Sequence, residues 1–206
     1  MLRRDTITRV FISFEGLDGS GKTTQAALLA EAARAAGREV VSVREPGGTE
    51  AGERIRALLL DPAAQIAPWA EALLYAAARA ELVAEVIRPA LDRGATVIAD
   101  RYVDSSLAYQ GVARGLGVAE VLEVNLAATD RLLPDRTIVL ELARDVAASR
   151  RDGAADRMEA EADPFHASVA DGFADVARRF PERIVVVDGA GSPDDVAARV
   201  QEAVGL

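Results

Sequence analysis

"VFISFEGLDGSGKTTQ", residues Val10 to Gln25, sets two kinds of sequence back to back. Val10 to Phe14 is a short apolar, β-rich run and reads as a buried strand. Gly16, Gly21, Lys22 and Thr23 then follow at the spacing G-x-x-x-x-G-K-[ST], and from Lys22 to Ala36 the pattern turns helical, stopping at Gly37. Strand, glycine loop, helix is the context in which this spacing makes a phosphate cradle. The glycines let successive backbone N–H groups converge on phosphate oxygens, and the helix adds its positive N-terminal end. Lys22 is the one lysine among 24 cationic side chains. The loop needs a compact ammonium on a long stem that can follow the β- and γ-phosphates, and arginine's planar fork is a poor substitute. Thr23 offers a hydroxyl to Mg²⁺. Gly16, Leu17, Asp18, Gly19, Ser20, Gly21, Lys22, Thr23 and Thr24 are therefore the candidates for holding a nucleoside triphosphate.

Four more strand candidates lie outward from this stretch: "EVVSV" (Glu39 to Val43), "ATVIAD" (Ala95 to Asp100), "RTIVLEL" (Arg136 to Leu142) and "RIVVVD" (Arg183 to Asp188). Helical patterns cover about Glu50 to Leu60 and about Pro68 to Arg93, with an interruption near Pro89, and "SPDDVAARVQEAV" closes the chain as a capped helix. Short apolar strands alternating with helices predict a doubly wound, five-stranded parallel α/β sheet with helices on both faces. The 206 residues suit a single domain, 1–206. The polar stretch "SRRDGAADRMEAEAD" (149–163) interrupts the scaffold and reads as a lid or surface excursion within it.

Composition narrows the function. A net charge of -9 argues against broad nucleic-acid binding, though not against a small anion held by local arginines. The chain has no cysteine, which removes disulfide scaffolds and thiolate zinc sites. No apolar run approaches the roughly 20 residues that span a bilayer, and the N-terminal apolar stretch is too short for a signal peptide. A cytoplasmic protein with no membrane contact is expected.

A phosphate cradle does not name a reaction. A guanine-nucleotide switch of the usual form needs a second lysine in N-K-x-D, and the only lysine is already used. A small kinase needs a second anion site and a lid. Asp100 and Arg101 end a strand, where doubly wound sheets bind ligands. Asp100 could hold Mg²⁺ and Arg101 could clamp an acceptor phosphate. Tyr75 and Arg79 share a helix face, as do Ser105 and Tyr109, with Ser106 and Gln110 adjacent. These could stack on a base and read its edge, or be an ordinary core tyrosine and a capped helix. Arg150, Arg151 and Arg157 could fold over a triphosphate or form a solvated loop. His166, the only histidine, carries no expected role.

Taken together, "FEGLDGSGKTT", "REPGGT", "RALLLD", "YAAAR", "DRYVDSSLAYQG" and "DRME" resemble the thymidylate kinase family, in that family's order and spacing, over nearly the whole chain. The resemblance implies the P-loop nucleoside monophosphate kinase fold and transfer of the γ-phosphate of ATP to dTMP, giving dTDP and ADP in dTTP synthesis, with Mg²⁺. It also implies a homodimer and a lid of the bacterial type, whose cations sit in the lid and not in the P-loop. By resemblance Lys22, Asp18, Arg101 and the lid's Arg150 and Arg151 would be catalytic, and Thr23 and Asp100 would serve the metal. Asp18 would lie near the acceptor's sugar and phosphate. Glu45 and Pro46, with Arg44, would begin the loop between donor and acceptor. Arg56 and Arg101 would contact the acceptor phosphate, Tyr75 would stack on thymine, and Arg79 would bond the base edge. Ser106 would lie near the thymine and Tyr109 against the sugar's 2′ side, with Gln110 beside it, and Ser105 would join them in binding dTMP. The chain departs from the family at Tyr75, where phenylalanine is usual, and at Asp152, where a relative can carry arginine. A kinase for another nucleoside monophosphate and a non-catalytic ATP-binding regulator stay open at this point.

Overall fold

A computed structural model describes residues 10–150 and 155–205. Five strands, β1 (Val10–Glu15), β2 (Val40–Arg44), β3 (Thr96–Asp100), β4 (Arg136–Glu141) and β5 (Ile184–Asp188), form one sheet in the order β2-β3-β1-β4-β5. Every pairing is parallel. Each predicted strand is present within one residue of its expected bounds, and the central ones are apolar on both faces because both faces are covered.

Period-two alternation sorts the strand residues into two cores. Ile12, Phe14, Ile98, Ile138 and Leu140 pack with Leu29 and Ala30 of α1 (Lys22–Ala35) and Val196 and Val200 of α9 (Pro193–Val204). Phe11, Val97, Ala99 and Val139 face the larger core, which holds Leu82 of α3 (Pro68–Leu82), Val121 of α6 (Val118–Ala128) and Phe173 of α8 (Asp163–Arg179). The remaining helices are α2 (Glu50–Leu60), α4 (Arg88–Asp92), α5 (Val103–Ser106) and α7 (Arg144–Ser149).

Helix ends follow local chemistry. Thr49 caps α2 by accepting from the Gly52 N–H at 3.0 Å. Ser192 and Asp195 form a reciprocal capping box on α9, as its sequence predicts. The long helical pattern does break, but at a π-helical turn, Val83–Ile87, placed just before Pro89. Proline lacks the N–H that would continue the ladder, so the preceding turn widens. A second π-helical segment, Leu107–Ala113, follows α5 without interruption.

Because all strands run in parallel, Glu15, Arg44, Asp100, Glu141 and Asp188 gather along one edge of the sheet. Ligands of doubly wound sheets bind outside this edge, beside the strand at which the winding reverses, and here that strand is β1.

Candidate functional site

A cleft of about 1000 Å³ opens along that edge. Its floor is the loop after β1. Gly16, Gly19 and Gly21 have φ of 132°, 84° and 97°, in the range that favours glycine. A Cβ at Gly16 would fall 2.6 Å from the carbonyl oxygen of Leu140, and one at Gly19 would fall 2.0 Å from that of Ala147. The second contact was not legible in the sequence. It lets α7 lie against the loop, and the residue that caps the end of α7, Arg150, lines the cleft. Arg151 and Asp152 lie outside the described residues.

The Lys22 ammonium folds back to donate to the Leu17 carbonyl at 2.8 Å and lies 3.9 Å from Asp18. Burial, and then the nearby Arg101 cation, depress its pKa to about 8. Thr23 donates its hydroxyl to Asp100 Oδ2 at 2.5 Å, so the two expected metal residues meet in the cleft.

Facing the loop is Arg101. It follows β3 with φ of 72°, a left-handed conformation uncommon for a side chain of this size, and its N–H bonds the Phe14 carbonyl. The turn aims the guanidinium across the cleft. Nη2 reaches Asp18 at 2.5 Å and Nη1 reaches Ser105 at 2.8 Å, while Tyr109 donates to the other Asp18 oxygen at 3.2 Å. Burial would raise the Asp18 pKa, but Arg101 and Lys22 outweigh it and hold the carboxylate well below its ordinary range. Ser105 in turn donates to Glu15 at 2.5 Å, and Glu15 also accepts from the Tyr102 N–H. Glu15, fully buried, is pushed up to about 8 by desolvation and then by Asp104.

The far end of the cleft is lined by Glu45, Pro46, Arg56, Tyr75, Arg79, Ser106, Tyr109 and Gln110, which brings together the expected acceptor residues. The Glu45–Pro46 peptide bond is cis. Arg56 donates to the Pro46 carbonyl at 2.9 Å. Arg79 is 1% exposed, and four hydrogen bonds engage all three of its guanidinium nitrogens. They go to Glu45 (2.7 Å), Ser106 (3.1 Å), the Tyr102 carbonyl (3.0 Å) and Asn125. It therefore forms the wall behind Ser106 as much as it faces the base site. Arg157 goes elsewhere than over a triphosphate: it donates to the Leu59 carbonyl and to Glu71, each at 2.7 Å. The second π-helical segment adjoins this end and presents Tyr109 and Gln110 to the cleft together with Ser105 and Ser106 of α5.

Sequence reasoning missed seven contributing residues. Glu15 is a charged residue closing an otherwise apolar strand, which is itself a signal. Glu71 lies one helical turn before Tyr75 on the face that also carries Arg79. Asn125 stands four residues after Val121, a polar side chain on an apolar face. Gly189, Gly191, Pro193 and Val196 line the donor end, and only their position after the last strand pointed there.

A triphosphate cradle facing an arginine-clamped second site, on a parallel sheet with strand order 2-3-1-4-5, defines a P-loop kinase of the type that phosphorylates small phosphorylated acceptors. The thymidylate kinase family model matches residues 14–200. The chain is 47% identical to the thymidylate kinase of Deinococcus radiodurans, covering 95% of this chain and 96% of that one. It is 51% identical to that of Symbiobacterium thermophilum, covering 95% and 92%. The solved thymidylate kinase of Ehrlichia chaffeensis superposes with a TM-score of 0.77 at 34% identity, covering 95% of this chain and 98% of that one. The chain belongs to the thymidylate kinase family.

Proposed function

We infer that the protein phosphorylates dTMP to dTDP with ATP as donor, working as one kinase domain in which 149–163 is the lid. The observation that carries this is Arg101. It spans the cleft between the phosphate loop and the cluster of Tyr75, Ser106 and Gln110, tied to Asp18 on one side and Ser105 on the other.

The acceptor is a phosphate monoester, anionic at neutral pH, so its oxygen attacks without a general base. The chain's part is to align two polyanions and offset the charge that develops between them. The phosphate loop and Lys22 hold the donor, with Gly189, Gly191 and Pro193 on the side of its base. Arg101 and Arg56 hold the acceptor phosphate, Tyr75 stacks on thymine, and Ser106, backed by Arg79, faces the base edge. Tyr109, fixed to Asp18, stands against the sugar. Arg150, which follows α7 and lines the cleft, is the lid cation we assign to the transferring group, with Arg151 beside it in sequence.

Thr23 Oγ1 and Asp100 Oδ2 are hard oxygen donors in contact, the chemistry Mg²⁺ takes, and that ion needs no all-protein cage. Once bound it neutralises charge on the donor phosphates. We also read the protein as a cytoplasmic homodimer. Trp69 and Leu73, four residues apart on α3, and Leu58 on α2 stay exposed and give the apolar face such a dimer would cover. Among the described residues no helix is long and apolar enough to cross a membrane.

The test is ADP release from ATP and Mg²⁺ with dTMP, dUMP, dGMP, dCMP and AMP offered separately. Release strongest with dTMP is expected. Strongest release with another acceptor would keep the kinase and overturn the base pocket, and nucleotide binding without acceptor-dependent release would indicate a regulator.

A further inference from the structure

Glu71 takes no part in the chemistry above, yet it is fully buried beneath the acceptor end of the cleft. Four donors converge on it. Gln110 Nε2 at 2.9 Å and Arg114 Nε at 3.2 Å reach Oε1, while Arg114 Nη2 at 3.1 Å and Arg157 Nη1 at 2.7 Å reach Oε2. Burial alone would raise its pKa, but the hydrogen bonds from Arg114, Gln110 and Arg157 lower it, so the group is an ionised carboxylate that only accepts.

A glutamine side chain has a donor end and an acceptor end. Facing a carboxylate, Gln110 has to turn its nitrogen inward. Gln110 also lines the cleft, so the end left for a base is the carbonyl oxygen. The orientation follows from the neighbour's chemistry and not from the outline of the amide, whose two ends look alike.

We propose that Glu71 is a positioning residue that sets acceptor specificity: by holding the Gln110 nitrogen it presents Oε1 to the base edge, selecting a pyrimidine with a ring N–H over one with a ring lone pair. Thymine carries hydrogen on N3 and cytosine carries a lone pair there, so the same oxygen bonds one and repels the other. The inference rests on the reading of this end of the cleft as the dTMP site. Arg157 binds the same carboxylate, so it and the base-reading amide lean on one buried anchor.

Glu71→Gln tests it. The introduced amide keeps its oxygen for Arg114 Nη2 and Arg157, gives up the bond from Arg114 Nε, and offers its NH₂ to Gln110, which then reverses and shows nitrogen to the cleft. The ratio of kcat/KM for dTMP over dCMP is expected to fall about ten- to a hundredfold. It should do so through a higher KM for dTMP and a lower one for dCMP, with the KM for ATP within about twofold. An unchanged ratio, whatever the loss of activity, makes Glu71 a structural residue only and overturns the proposal. A shift confined to the KM for ATP overturns the placement of the base pocket instead. Wild-type protein provides a measure independent of the variant's folding, the ¹⁵N side-chain amide signal of Gln110. Slow proton exchange and little shift on adding dTMP are expected. A fast-exchanging pair that moves strongly with dTMP would overturn the proposal.

Discussion

The two ends of the cleft are built by different means. At the donor end the working groups are backbone N–H groups, arranged by three left-handed glycines within six consecutive residues of a loop. At the acceptor end they are side chains, each held by others from distant parts of the chain. Arg79 draws Glu45, Ser106, Asn125 and Tyr102 from 34, 27, 46 and 23 residues away. The first construction tolerates little change at its own positions and depends little on the rest of the protein. The second spreads its requirements over many residues, so a single substitution is expected to weaken it by degrees.

The sharpest way to break this contrast is Lys22→Ala. Lys22 is the phosphate loop's own cation on the transferring group, and kcat is expected to fall about 10³-fold or more. Lys22→Arg should not restore it, since the planar fork cannot follow the phosphates from the same stem. Recovery of even a tenth of wild-type kcat in the arginine variant would show that the loop needs only charge, not geometry.

Arg101→Ala comes next, at the boundary between the ends. The expected result is a loss of about a hundredfold in kcat/KM for dTMP, with ATP dissociation within about threefold of wild type. Direct binding of each nucleotide separates the two. If ATP binding collapses and dTMP binding survives, the ends have been assigned the wrong way round.

The same contrast explains what could be read from the sequence. The strand, the glycine loop and the helix after it are consecutive, so their chemistry stands in one quoted stretch, and the five strands announce themselves by composition. Tyr75, Arg79, Ser105, Ser106, Tyr109 and Gln110, which the structure brings to one cleft, stand out because two helical stretches each carry several of them at helical spacing, and the family resemblance gives them their expected roles. What holds them was not legible. Nothing in "VLEVNLAA" says that Asn125 meets Arg79 across 46 residues, and nothing in the P-loop says that α7 will lie on Gly19. The break in the long helix was placed at Pro89, where the sequence shows it. The structure puts the wide turn just ahead, because the missing N–H is felt by the preceding turn.

Asn125→Leu sharpens the claim that the acceptor end fails by degrees. The change removes the Asn125 acceptor from Arg79 while leaving Glu45, Ser106 and Tyr102 in place. A donor left unsatisfied in a buried site costs about 1–3 kcal/mol. The melting temperature should drop by several degrees and the KM for dTMP should rise about tenfold, with kcat and the KM for ATP little changed. Equal losses in both KM values would mean that Asn125 supports the sheet in general and not the acceptor end.

The last test lies where the two constructions join. Glu15 is the last residue of β1, directly before Gly16, yet its carboxyl group is bonded by Ser105 and the Tyr102 N–H from the acceptor side. Desolvation, and then Asp104, push its pKa from the ordinary 4.5 to about 8, against the pull of Ser105 and Arg101. Between those two values the native protein keeps a proton that the unfolded chain has lost. The resulting contribution to stability is fully present below about pH 4.5 and is lost as the pH rises to about 8. Glutamine imitates the protonated group, accepting from Tyr102 and donating to Ser105, and cannot titrate. The stability of the wild type relative to Glu15→Gln should therefore decline steadily in urea denaturation series at about pH 5, 6.5 and 8. Parallel curves would mean that the two hydrogen bonds and Arg101 keep Glu15 ionised throughout. The join between loop and acceptor pocket would then be an ion pair and not a buried, proton-carrying hydrogen bond.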